Sequence, residues 1–242
     1  MRRTLPSLLC AGTLLLGAVS CSDDDDTSSA DEPSSTTTAA SEGASTLSMP
    51  AGDAAIEPGT YLIPSSGWSV ADFTVTFPAD WNVQYGHVFN KHQDTDEELG
   101  FHAVVVDEIF TDACEGEGVP MDVGPSVDDL VAALLAQPGP EASDPVDTTL
   151  GGLPATRVDL SVPEGFDLTT CRLWEDEIDG LQVWYSAPAD KYFVLGPDTP
   201  ASVYILDVGG ERQVFLAGRH LTTADEDVAE LQAVLDSIQI DA

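Results

Sequence analysis

The apolar positions of the chain change period twice, and the changes predict its elements. In ADFTVTF, Phe73, Val75 and Phe77 alternate with Asp72, Thr74 and Thr76, the two-residue period of a strand that buries one face. Residues 81–91 and 101–110 continue the β pattern, the second with the near-continuous run AVVV that suits a central strand. In SVDDLVAALLAQ the spacing lengthens. Val127, Leu130, Val131, Leu134 and Leu135 stand at i, i+3, i+4, i+7 and i+8, one face of an α-helix. Ser126 offers the N-cap and Asp129 the acid three positions on, while Pro138 and Gly139 end the helix.

Beyond the spacer QPGPEASDP the β pattern returns in VDTTLGGLPATRVDLSV, CRLWEDEIDGLQVWYS, KYFVL and VYILDVGGERQVFLA. Turn residues at Gly151-Gly152, Asp179-Gly180 and Gly209-Gly210 predict antiparallel hairpins or a meander. In LQVWYS, Leu181, Val183 and Tyr185 alternate with Gln182 and Trp184, which places Trp184 on the opposite face, beneath a helix. A second helix closes the chain in TADEDVAELQAVLDSIQI. Thr223 and Glu226 read as its capping box, and Val228, Leu231, Leu235 and Ile238 as its apolar stripe. Runs of strands broken by only two amphipathic helices predict an α+β fold, an antiparallel β-sheet packed by two or more α-helices.

Residues 51–242 carry this pattern as a single domain. Residues 21–50 do not: the tract has no aromatic residue and only Leu47 and Met49 as large apolar ones. It cannot bury enough surface to offset its ordering entropy and reads as a disordered tether, with a flexible-chain span of roughly 30 Å. Ahead of it, Arg2 and Arg3 precede an apolar run from Leu5 to Val19. At about 15 residues that run is shorter than a membrane span, and an acidic tract follows, so residues 1–20 read as a secretory signal peptide.

Small residues then lead directly into Cys21, a layout that resembles the lipobox of bacterial lipoproteins, with Ala18 standing where leucine is commoner. The resemblance implies that the Cys21 thiol receives a diacylglyceryl group and becomes the new N-terminus. The protein is then held on the cell membrane, facing the extracellular side. The competing reading is ordinary cleavage near Ser20 with Cys21 left as a thiol. Of the four cysteines, Cys10 leaves with the signal, and Cys114 and Cys171 remain as an even pair. In an oxidising compartment their simplest fate is a disulfide. A zinc or reactive-thiol role has less support, because neither sits in a CxxC or beside a histidine.

Four segments together resemble the PsbP-like domain: the opening FTVTFPADWNV, the helix with its proline-rich link, LGGLPATRVDL, and the last helix ending LDSIQI. That domain is an antiparallel sheet sandwiched by helices, and it recurs in actinobacterial surface lipoproteins. The resemblance implies a PsbP-like α/β/α sandwich and a binding or assembly role. The acidity and the cysteine pair depart from the family pattern, and no family site transfers residue by residue.

Charge narrows the partners. The chain carries 8 basic and 43 acidic residues, a net charge of −35, so nucleic acid is repelled and is not an expected partner. Most of the acids read as a solvating surface. Candidate calcium ligands are Asp94, Asp96 and Glu98, the EGEG loop at 115–118, and EDEIDG at 175–180. The last begins like an EF-hand loop but has Ser186 where the bidentate glutamate belongs.

Catalytic signatures are weak. GxSxG and HExxH are absent, and the four histidines are His87, His92, His102 and His220. The glycines of LGGLPA lack the GxGxxG and P-loop patterns and lead into a strand, so no cofactor is expected. The sequence therefore points to a lipid-anchored, extracytoplasmic, non-catalytic binding or assembly module for a protein or cell-envelope component. The alternatives are a cell-surface hydrolase acting on an envelope polymer or ester, and a calcium-linked structural module.

Overall fold

The computed structural model describes residues 46–50, 52–115, 121–172, 179–187 and 191–241, all within the compact unit Gly43–Ala242. Its centre is a nine-stranded sheet. Along it run Glu141–Ala142, Leu153–Ser161, Ala201–Val208, Glu211–Arg219, Leu99–Val104, Val88–Lys91, Trp81–Gln84 and Ala54–Ile56, and Val146–Leu150 also pairs with Leu153–Ser161. Every pairing in it is antiparallel. Two of its hairpins turn on Gly151-Gly152 and Gly209-Gly210, all four with positive φ, the backbone that a two-residue hairpin loop requires and that glycine adopts without steric cost.

Side-chain alternation along the central strands feeds two cores. Ala155, Tyr204, Leu206, Phe215 and Ala217 join Phe73, Val75, Phe77 and the second helix on one face. Val158, Val203, Ile205, Val214 and Leu216 join the first helix on the other. Each helix shares its layer with a small sheet. The second helix, Asp225–Asp236, lies with Gly59–Ile63, Phe73–Phe77 and two short strands. The first, Val127–Ala136, lies with Leu181–Ser186, Lys191–Leu195 and two short strands. The antiparallel α+β architecture read from the sequence is the observed one, although its outer layers hold strands as well as helices. Among the described residues no helix is long and apolar enough to cross a membrane.

The first helix starts as its sequence prescribes. Asp129 N donates to Ser126 Oγ at 3.1 Å, and Ser126 N donates to Asp129 Oδ2 at 3.0 Å. Leu130 and Leu134 are buried, but Leu135 is 46% exposed, so the apolar face is narrower than its spacing suggests. The second helix departs from expectation at its start. Ala224 is its N-cap and no side chain caps it. Thr223 instead turns its hydroxyl toward the carbonyls of Glu97 and Glu98. The acids Asp225, Glu226 and Asp227 fill the first turn, where the helix dipole favours them. Along its stripe Val234, rather than Val228, is buried with Leu231 and Leu235.

Trp184 corrects a second expectation. The register of Leu181–Ser186 slips between Gln182 and Trp184, a bulge that breaks the alternation. Val183 and Trp184 are therefore buried in the same cluster, and Trp184 stacks on Phe193 with ring centroids 4.4 Å apart. The last residues of the tract read from composition as a tether are structured. Leu47–Ser48 pairs in parallel with Tyr61 and Leu62, and Met49 packs against the core. The two large apolar residues of that tract are the ones at its docked end.

Candidate functional site

Three neighbouring strands of the main sheet build a shallow groove on the first-helix side. In register, Val88 faces His102 and Asn90 faces Gly100, while His102 faces Leu216 and Gly100 faces Gly218. These residues form the floor, and Phe193, Val194 and Thr199 rise as a wall beside it. The cavity measures about 230 Å³. Its two floor glycines differ in reason: a Cβ at Gly100 would fall 2.3 Å from the carbonyl oxygen of Phe89, whereas one at Gly218 would meet nothing within 4 Å. Gly218 thus leaves the groove open without being required by packing.

Asn90 is the unusual residue. It is only 2% exposed; its Nδ2 donates to Gln84 Oε1 at 3.0 Å and to Glu98 Oε1 at 3.1 Å, yet its buried Oδ1 has no hydrogen-bond partner. A buried acceptor left unpaired costs about 1–3 kcal/mol. His102 lies beside it in the floor. Desolvation, with a smaller contribution from His87, pushes the His102 pKa down to about 4, so the imidazole is neutral at physiological pH. His87 is stacked on Trp68 at 3.5 Å between centroids, with Nδ1 2.9 Å from the Tyr85 carbonyl. Burial first, and the charge of Lys191 last, lower its pKa as well. The groove thus joins a neutral imidazole and apolar walls to the charged side chains of Glu98 and Arg219 at its rim, with the unpartnered Asn90 Oδ1 buried in its floor.

The structure joins Cys114 to Cys171, with Cα atoms 4.5 Å apart, and pins the chain after Glu108–Ile109 to the short turn Leu168–Thr170. Cys21, the tether through residue 45 and Trp174 lie outside the described residues, as do most of EGEG and EDEIDG, of which Glu115, Asp179 and Gly180 are described. The acids at 94–98 do not point together. Asp94 accepts from Gln93 at 3.2 Å, and Glu98 accepts from Asn90 and from the backbone of Asp94. Among the described residues no three His, Cys, Asp or Glu side chains converge to hold a metal. His87 and His92 serve different contacts, since His92 Nε2 is 3.1 Å from Asp227 Oδ2. Trp81 is buried and donates to Glu230 at 2.9 Å. Asn90 was missed by motif reasoning, although an asparagine between Phe89 and Lys91 in a strand is itself a signal, because asparagine is depleted there.

No protein-family model matches the chain, and no curated protein matches it. Among solved structures it is similar to the crystal structure of LpqN, involved in cell envelope biogenesis of Mycobacterium tuberculosis, at 12% identity, covering 78% of this chain and 91% of that one with a TM-score of 0.34. It is also similar to the solution structure of the cyanobacterial PsbP (CyanoP) from Synechocystis, at 11% identity, covering 77% of this chain and 94% of that one with a TM-score of 0.34. At such identity and score the likeness says nothing of activity or partner. The antiparallel α+β architecture stands on the strand pairings themselves.

Proposed function

We propose that the chain is a lipid-anchored, extracytoplasmic binding module without chemistry of its own, and that the groove over Asn90 and His102 receives part of a protein or envelope component. The observation that carries this reading is the groove itself, floored by His102 and by Gly100 and Gly218 and walled by Phe193 and Val194, with no side chain at Gly218 to close it. Neutral His102 adds one donor or acceptor, and Val88, Leu216, Phe193 and Val194 supply apolar contact. At about 230 Å³ the groove falls short of the roughly 300–1,000 Å³ typical of small-molecule pockets. It suits one side chain or one sugar-sized group of a larger partner. Membrane attachment rests on the charged and apolar leader followed by Cys21. A hydrolase has less support here: a general base works best with a pKa near the working pH, and that of His102 is held at about 4.

The test is site-specific photo-crosslinking in cells that display the protein. A crosslinker at Val194 on the groove wall is expected to give one discrete adduct. That adduct disappears when Gly218→Leu fills the groove, and it does not form from a crosslinker at the exposed Leu135. An adduct that survives Gly218→Leu, or equal labelling from both positions, overturns the reading, as does saturable turnover of an ester or glycan by the purified protein that a point substitution abolishes.

A further inference from the structure

The three sheets end in strands of unequal length. Among the described residues, the terminal strands Leu47–Ser48, Gln239–Ile240, Glu141–Ala142, Ala54–Ile56 and Met121–Asp122 hold only two or three residues each. Short edges of this kind leave little main chain open to further pairing. Lys191–Leu195 differs: it has five residues and ends its sheet, pairing with Leu181–Ser186 on one side. Val146–Leu150 is as long, but its interior is Asp147, Thr148 and Thr149, a polar edge that discourages pairing. The interior of Lys191–Leu195 is Tyr192, Phe193 and Val194.

The groove lies against the open side of this strand. Phe193 and Val194 both line it, and no residue of Leu181–Ser186 does. Adjacent residues of a strand send their side chains to opposite faces. A cavity that touches both, on the side away from the paired neighbour, therefore meets the strand at its edge. Among the described residues, Phe193, Val194 and Leu195 make no backbone hydrogen bond outside the pairing with Leu181–Ser186. Below the edge the main sheet continues through Glu211–Arg219 and Leu99–Val104 to Val88–Lys91, so the outer layer stops while the layer beneath it runs on. Gly218, Gly100 and His102 floor the strip left uncovered.

We propose that the edge of Lys191–Leu195 takes an extended segment of a partner protein as an added strand, which continues the outer layer over the groove floor. This rests on the groove being the recognition site and names the form its partner takes. An open strand edge offers N–H and C=O groups at alternate residues, a pattern that another extended main chain matches along its length. Every second side chain of the added strand then points down to the main sheet. There the place above Gly218 is empty, and a space of about 230 Å³ admits an uncharged side chain beside neutral His102. A second copy of this chain is a poor occupant, because each carries a net charge of −35 and like charge opposes association. The acidic tract of residues 22–45 is disfavoured for the same reason. The strand therefore comes from a different polypeptide, in a segment that is apolar at alternate positions and poor in acids.

Random dodecapeptides displayed on phage and selected on the intact protein supply the probe, and the enriched sequences are then made synthetically. Saturable binding is expected from peptides with alternating apolar residues. Methylating the backbone nitrogens of such a peptide one at a time is expected to weaken binding about tenfold or more at every second position and little at the positions between, because only alternate N–H groups face the edge. Amide hydrogen exchange within Lys191–Leu195 is expected to slow in the complex. An absence of enriched peptides, a methylation profile without a two-residue period, unchanged exchange within Lys191–Leu195, or a protein dimer that the peptide dissociates overturns strand addition. The Val194 crosslink separates this outcome from failure of the groove itself: an adduct lost in Gly218→Leu alongside any of these results leaves the groove in recognition and removes the added strand alone.

Discussion

Lys91, on a strand of the main sheet, reaches the first two turns of the second helix, where its Nζ lies 2.7 Å from Asp227 Oδ1 and 2.8 Å from Glu230 Oε1. The Lys91 and Asp227 side chains are 12% and 15% exposed. His92 meets the other oxygen of Asp227, and Trp81 shares Glu230. The uncapped start of the helix is thus secured by its side chains against the sheet. Removing one member of a well-buried pair costs about 3–5 kcal/mol. Because Glu230 is 30% exposed, Lys91→Met is expected to cost less, about 1–3 kcal/mol, measured by denaturant unfolding. An unchanged midpoint would show that the helix docks through its apolar stripe alone.

The same contact predicts a pH dependence. The hydrogen bond from Lys91 lowers the Asp227 pKa against a smaller opposing effect of burial, with His92 adding to the lowering. A carboxyl with a depressed folded-state pKa stabilises the fold above its unfolded pKa, and the stabilisation is lost as pH falls through the folded value. Acid also relieves the repulsion among 43 carboxylates, which acts in the opposite sense. The informative quantity is therefore the stability difference between wild type and Lys91→Met. It is expected to be constant from pH 6 to 8 and to shrink steadily as pH drops below about 4. A difference that stays constant down to pH 2 would rule out the ion pair as its source.

Much of this fold was legible because local and tertiary preferences agree. Phe73, Val75 and Phe77 alternate and are buried; Ser126 and Asp129 form the expected box; the two glycine pairs turn hairpins. Legibility failed where a distant segment competed for a local group. Thr223 is drawn off its helix by carbonyls at Glu97 and Glu98, and Trp184 is rotated inward by a bulge set against Lys191–Leu195. The groove could not be assembled from spacing, because Asn90 and His102 come to one floor only when Val88–Lys91 and Leu99–Val104 pair.

The two helix starts can be compared directly. Ser126→Ala removes an acceptor that caps the first helix and is expected to cost about 1 kcal/mol. Thr223→Val replaces a hydroxyl whose bonds are 3.3 and 3.4 Å long and which caps nothing, so a change within about 0.5 kcal/mol is expected. Equal losses in chemical denaturation would restore Thr223 as a cap.

Cys114 and Cys171 close a loop with a sequence separation of 57. On the chain-entropy model the crosslink contributes about 4 kcal/mol by restricting the unfolded chain. The double Cys→Ser variant is expected to melt at a lower temperature and to be insensitive to reductant, whereas the parent loses stability when reduced. A parent whose melt does not respond to reductant under unfolding conditions would count against the bond.

Gly100 and Gly218 face each other across neighbouring strands, yet they predict opposite outcomes. A Cβ at Gly100 falls 2.3 Å from a backbone oxygen and 3.0 Å from Asn90 Cα, atoms that move only if the strand pair separates. Gly100→Ala is therefore expected to destabilise by about 1–3 kcal/mol. At Gly218 the added methyl meets nothing within 4 Å, and alanine in a strand loses less conformational entropy than glycine. Gly218→Ala is expected to be neutral or to stabilise by about 0.5–1 kcal/mol. Since its Cβ shares the face of Leu216, the groove narrows as the fold is preserved, and any partner seated over Asn90 binds less tightly. A protein that gains stability while its crosslink from Val194 weakens would locate the open glycine in recognition; equal destabilisation at both glycines would place it in the packing instead.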